Sequence, residues 1–211
     1  MEANAITGML RHLHHIDKDI TLAINGLHCP ASDFIWGIFS DKEIWFVLYL
    51  AVAVFLVRNL GWKKGLISIA AIVLTIVCCD QLANFTKAYF GRLRPCCDAE
   101  MVSRGHRLLE WCAPIEYGFY SAHAANAMGF ASCSYFSFRR DRSRSYRIYG
   151  ICIFIWAAAV GFSRIFVGKH FFGDVMTGFV IGILFGWLLS WVAGKAEKLL
   201  PEGHKDLRTE K

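Results

Sequence analysis

The sequence predicts an all-α fold: a polytopic membrane helix bundle with about five transmembrane helices, plus an N-terminal interfacial amphipathic helix. Three observations lead there. The chain has 211 residues, 55% of them hydrophobic, and the apolar residues gather in long runs. Those runs approach the roughly 20 residues that an α-helix needs to cross a bilayer. Basic residues cluster in the gaps between the runs. Helices that are apolar on every side have no face to offer water, which excludes a soluble bundle.

The elements follow in chain order. Ile6, Met9, Leu10, Leu13, Ile16, Ile20, Ile24 and Leu27 recur at three- and four-residue steps, with Arg11, His14, His15, Lys18 and Asp19 between them. This pattern predicts a helix lying in the membrane interface. A second short piece, from Phe34 to Phe39, also belongs at the surface. The rival is a sixth span over 16–39, which His28, Pro30, Ser32 and Asp33 oppose. The spans themselves are expected at 43–58, 64–86, 121–138, 147–163 and 172–193. The whole chain, 1–211, reads as one domain: an interfacial segment (1–42), a helix bundle (43–195) and a polar cytoplasmic tail (196–211).

Charge supplies orientation. Arg58, Lys63 and Lys64 follow the first span. Arg139, Arg140, Arg142, Arg144 and Arg147 follow the third, and Lys195 and Lys198 the fifth. With five spans these clusters share one side, which the positive-inside rule makes cytoplasmic. The loops at 88–120 and 164–172 then face outside. The net charge of +6 reflects this topology and contact with anionic lipid, so no nucleic-acid partner is expected.

Three polar fragments cluster at that outer side. Lys87 and Arg94-Pro95 precede a long loop; arginine forks onto two phosphate oxygens, and lysine adds a point charge. Tyr120-Ser121-Ala122-His123 opens an apolar run, offering a hydroxyl, an imidazole and free N–H groups at a helix start. Ser163-Arg164 leads to His170 and, four residues on, Asp174. If a helix begins there, His170 and Asp174 share a face.

In order, the chain reads K-x6-R-P, then S-x-H, then S-R-x5-H-x3-D. That set resembles the type 2 phosphatidic acid phosphatase superfamily, on its membrane-bound bacterial lipid phosphatase branch. The first and third motifs match at every defining position. In the middle motif Tyr120 and Ala122 replace the usual proline and glycine; Ala122 keeps its N–H but not glycine's freedom of φ. The resemblance covers roughly residues 43–195.

It implies hydrolysis of a lipid phosphate or diphosphate through a phosphohistidine. His170 is then the nucleophile, Asp174 its orienting carboxylate and His123 the general acid. Lys87, Arg94, Ser121, Ala122 and Arg164 bind phosphate. No metal or other cofactor is expected, because three fixed cations neutralise the phosphate. Polyprenyl diphosphate, the phosphates of lipid A, phosphatidylglycerophosphate and phosphatidate are all candidate substrates. The expected location is the bacterial inner membrane, with the site facing the periplasm. The alternatives are a vanadate-type haloperoxidase and a non-enzymatic lipid-binding or transport protein with a degenerate site.

Other features are supporting ones. Asp80, Asn84 and Lys87 fall at i, i+4 and i+7, one polar stripe within a span. Asp80 is a supporting candidate because an ionisable group there is costly. Asn126 stands one turn after His123, as its partner or as an ordinary interhelical hydrogen bond. Gly178, Gly182 and Gly186 predict a closely approached helix face. Arg92 is expected to snorkel. Cys78, Cys79, Cys133 and Cys152 lie in apolar runs, whereas Cys96 or Cys97 can bridge to Cys112 in the outer loop. A zinc site using the loop cysteines and His106 matches no common spacing.

Overall fold

The computed structural model describes residues 2–199. Residues 200–211, most of the expected polar tail, lie outside them, as do the side chains of Ile6 and Leu10 in the expected amphipathic stripe. Eight α-helices are described: α1 (Glu2–Asn25), α2 (Pro30–Ser40), α3 (Phe46–Leu60), α4 (Trp62–Phe90), α5 (Ala99–Ser103), α6 (Ala122–Phe138), α7 (Arg147–Phe166) and α8 (Phe172–Glu197). Among the described residues there is no strand, only one isolated bridge between Leu93 and Tyr117. Helices α4, α7 and α8 are long and apolar enough to cross a membrane; α3, at 15 residues, and α6, at 17, are shorter. The expected sixth-span rival over 16–39 does not form. The chain leaves α1 at Gly26 and restarts at Pro30, the first residue of α2 and a position that suits proline.

Helix α6 is the centre. Most of its residues are buried, and α8 packs along it through the predicted glycine face. A Cβ at Gly178 would stand 2.7 Å from the Ser121 carbonyl oxygen, one at Gly182 would stand 2.8 Å from Gly129 N, and one at Gly186 would stand 2.7 Å from the Gly129 carbonyl oxygen. No side chain fits there, so the two backbones touch and the start of α8 is held against the start of α6. The backbone N–H of Ser121 donates to the Asp174 carbonyl at 3.1 Å, which ties those two starts together.

Helix α1 buries mainly polar residues. Met9, Leu13 and Ile16 are exposed, while Lys18, Thr21 and Asn25 are buried against the loops. Met9, Leu13 and Ile16 therefore face outward, as a lipid-facing surface would, while Ile24 packs against the core and the buried polar residues make further tertiary contacts. Asn25 donates to the carbonyls of Arg107 and Ile165 and accepts from Arg107 N. Helix α2 is anchored by Trp36, which stacks on Phe166 with ring centroids 4.2 Å apart.

Candidate active site

The last turns of α4 and α7, the first turns of α6 and the α7–α8 loop border a cavity of about 380 Å³. Lys87, Arg94, Ala122, His123, Arg164 and His170 all line it, with Asp80 and Asn126. Its remaining wall is mainly aromatic and aliphatic, including Phe39, Trp45, Tyr49, Phe130 and Val160. The lining is thus part cationic and part apolar. Sequence reasoning did not single out Lys42, which also lines the cavity from the α2–α3 connection. Nothing in its local sequence marks it.

Short-range structure explains each placement. Helix α4 runs on to Phe90, past its expected end, so Lys87 sits in its last turn. Gly91 closes that helix at φ 56°, a left-handed conformation that favours glycine. Arg92–Arg94 then pairs with Glu116–Gly118: Arg94 N donates to the Glu116 carbonyl at 2.9 Å and Gly118 N to that of Arg92 at 2.8 Å. A Cβ on Gly118 would stand 3.1 Å from both Arg94 Cγ and Asp174 Oδ2, so a larger residue would press the arginine and the carboxylate apart. A disulfide between Cys96 and Cys112 closes the loop that follows. It is one of the two predicted pairings. Cys97 stays free, with its sulfur 3.6 Å from that of Cys112. With two of the three clustered sulfurs joined, and His106 packed instead against Gly168, the zinc alternative loses its ligands.

Both phosphate-binding candidates on arginine already meet carboxylates. Arg94 Nη1 lies 3.2 Å from Glu116, and Arg164 reaches both Glu110 oxygens at 3.2 Å. Arg164 also meets Ser40, whose hydroxyl donates to Glu110 at 2.5 Å. An incoming phosphate would compete with these glutamates. Arg164 is buried rather than snorkelling, and its Nε has no partner among the described residues.

The Ser121 hydroxyl does not line the cavity. It is buried and caps α6, accepting from Ala124 N at 3.4 Å. Asn126 Oδ1 is buried without a partner among the described residues. Its oxygen faces neither His123 nor another helix at hydrogen-bond distance.

His170 stands two residues before α8, whose first residue is Phe172. The expected shared helix face is therefore replaced by a turn. Lys169 and His170 both return their N–H groups to the Arg164 carbonyl. Asp174, in the first turn, folds back: its Oδ2 lies 3.5 Å from His170 Nδ1 and accepts Phe171 N–H at 3.1 Å. Burial, with Arg94, Arg164 and Lys87 nearby, holds the His170 imidazole well below its ordinary pKa. That shift favours the uncharged ring.

Arg92 corrects the sequence reading. It does not snorkel. Its Nη1 pairs with Asp174 Oδ1 at 2.7 Å, its Nη2 with Asp17 Oδ2 at 2.5 Å, and its guanidinium lies over the Phe171 ring. No sequence pattern linked residues 17, 92 and 174.

A cationic pocket opening onto an apolar wall, with two imidazoles beside it, defines a class of anion-handling membrane enzyme. A sequence profile of the PAP2 superfamily matches residues 42–198, and the chain belongs to that superfamily. It is 34% identical over 188 residues to a lipid A 4'-phosphatase of Bacteroides thetaiotaomicron, covering 89% of this chain and 81% of that one. It is 28% identical over 178 residues to a lipid A 4'-phosphatase of Porphyromonas gingivalis, covering 84% and 72%. The crystal structure of a transmembrane PAP2-type phosphatidylglycerolphosphate phosphatase from Bacillus subtilis superposes with a TM-score of 0.68 at 21% identity, covering 90% of this chain and 88% of that one. That likeness concerns the fold. The class is a membrane-embedded PAP2 phosphatase.

Proposed function

We propose that this protein removes a phosphate from a membrane lipid through a phosphohistidine, without a metal, and that the lipid is a lipid A-type glycolipid. One observation carries the proposal: His123, His170, Lys87, Arg94 and Arg164 line a single cavity whose other wall is apolar. The headgroup phosphate would occupy the cationic part while the acyl part leaves along the aromatic wall. The lipid A 4'-phosphatases of two bacteria support this glycolipid over the other candidates.

Phosphate monoesters resist attack because their own oxygens repel a nucleophile. Lys87, Arg94 and Arg164, with the free N–H groups at the start of α6, would neutralise those oxygens. His170 Nε2 then attacks phosphorus in line with the leaving oxygen. Asp174 accepts from Nδ1–H, fixing the tautomer and stabilising the imidazolium that forms. His123 gives its proton to the departing sugar oxygen. It next takes a proton from water, which attacks the phosphohistidine and frees inorganic phosphate. The charge clusters support a five-span topology with the cavity at the outer leaflet, periplasmic in the inner membrane.

Protein reconstituted into vesicles and offered lipid A, phosphatidylglycerophosphate, phosphatidate and polyprenyl diphosphate tests the reading. Phosphate release should be fastest from lipid A, persist in EDTA and stop with orthovanadate. Release that needs an added divalent cation would overturn the mechanism. Equal release from all four lipids would overturn the substrate assignment.

A further inference from the structure

We propose that Arg92 and Asp17 are positioning residues for the His170–Asp174 pair, so that the N-terminal helix α1 is part of the catalytic apparatus. This rests on the reading of His170 as nucleophile and adds to it a relay of Asp17, Arg92, Asp174 and His170.

Asp174 is the residue that needs support. Its side chain is fully buried. A buried carboxylate left without a cation is costly and tends to take up a proton, which would cost it the ability to accept from His170. Arg92 is the cation that reaches it, at 2.7 Å on Oδ1. That contact also fixes the plane of the carboxylate. With Oδ1 pinned by Arg92, and Oδ2 accepting Phe171 N–H, Oδ2 is left facing His170 Nδ1. The gap of 3.5 Å is longer than a made hydrogen bond, and catalytic contacts often tighten only with substrate bound.

Arg92 is itself held. Its second fork end meets Asp17 at 2.5 Å, and its guanidinium lies 4.1 Å from the Phe171 ring centroid. Asp17 has a second task. Its Oδ1 accepts Gly173 N–H at 2.7 Å, and Thr21 one turn later accepts Phe172 N–H at 3.0 Å. These are first-turn donors of α8, which lack partners within the helix. Helix α1 thus caps the helix that carries Asp174 and clamps the arginine that orients it. Residues 2–25 lie before the segment that the family profile matches, 42–198.

Arg92 is not another phosphate ligand. It does not line the cavity, and both ends of its fork are taken by carboxylates on the side of Asp174 away from His170. A purely architectural role is the remaining alternative, and kinetics separates the two.

Steady-state phosphate release from vesicle-embedded protein is compared for wild type, Arg92→Ala, Arg92→Lys, Asp17→Asn and the double variant Arg92→Ala with Asp174→Asn. Wild-type release establishes the parent reading; its absence would sink that reading first. Given wild-type turnover, Arg92→Ala should lower kcat by about 10²-fold, the scale of a small misplacement, with KM little changed. Arg92→Lys should recover at least part of kcat, and Asp17→Asn should cost less than Arg92→Ala. In the Asp174→Asn background, Arg92→Ala should cost almost nothing further, because residues acting as a unit are non-additive. Losses that add, or a raised KM with unchanged kcat, would overturn the proposal. If Arg92→Ala does not fold, Arg92→Lys and Asp17→Asn in the Asp174→Asn background decide by the same criterion.

Discussion

The bundle carries two clusters of cations and carboxylates, one at each end, and they are built to opposite purposes. At one end, Arg140 is saturated. It donates to both Glu197 oxygens, to the Ser190 carbonyl and hydroxyl, and to the Ser68 hydroxyl. This joins α4 and α8 to the second residue past α6. At the other end, about 28 Å away along α4 by helical rise, Lys87, Arg94 and Arg164 surround an open cavity with two imidazoles. Their glutamate partners come from a loop, not from the helices. Arginines of the same chemistry are therefore fully hydrogen-bonded at one end and border a cavity at the other. A saturated charge cluster fastens helices, whereas a cluster that borders a cavity is available to a ligand.

The comparison breaks most sharply at His170. His170→Ala should abolish phosphate release while leaving the protein folded; wild-type rates from that variant would remove the nucleophile assignment. Asp174→Asn should slow turnover by about 10⁴-fold, by analogy with the aspartate of a hydrolytic triad. Arg140→Ala should do the reverse. Leaving Glu197 buried and unpaired should cost about 3–5 kcal/mol of stability, seen as a lowered Tm in detergent, with kcat per folded molecule unchanged. A drop in kcat instead would mean that the two ends are coupled.

The loop at the cavity end gives smaller effects. Cys112→Ser removes the crosslink across a separation of 16 residues, worth about 3 kcal/mol by loop closure. It should raise KM more than it lowers kcat, since Arg94 and both glutamates belong to that loop region. His106 offers the mildest test. Burial pushes its imidazole down to about 4, so the folded state resists a proton that the unfolded state accepts near 6.5. Its contribution to stability is present above about 6.5 and fades as pH falls from there towards 4. Thermal melts across that window should show the loss, and His106→Gln should flatten it.

The long apolar helices α4, α7 and α8 were legible in the sequence because membrane helices must be apolar over a fixed length, and the glycine face of α8 because only small residues let backbones touch. Both are local constraints, as is the spacing of the three motifs. The superfamily could be read from those motifs, and the profile match bears it out. What the tertiary structure decided is which polar groups answer which. Arg92 and Arg94 sit two residues apart, yet one clamps Asp174 and the other lines the cavity. The polar stripe of α1, with Lys18, Thr21 and Asn25, turned inward although helical periodicity marked only the apolar stripe as a face. Periodicity reports which side of a helix differs from the other; it carries no information about whether lipid or protein lies beyond. Hydrogen-bond partners 75 and 156 residues apart leave no trace in spacing, so only the folded chain could join Asp17 to Arg92 and Gly173.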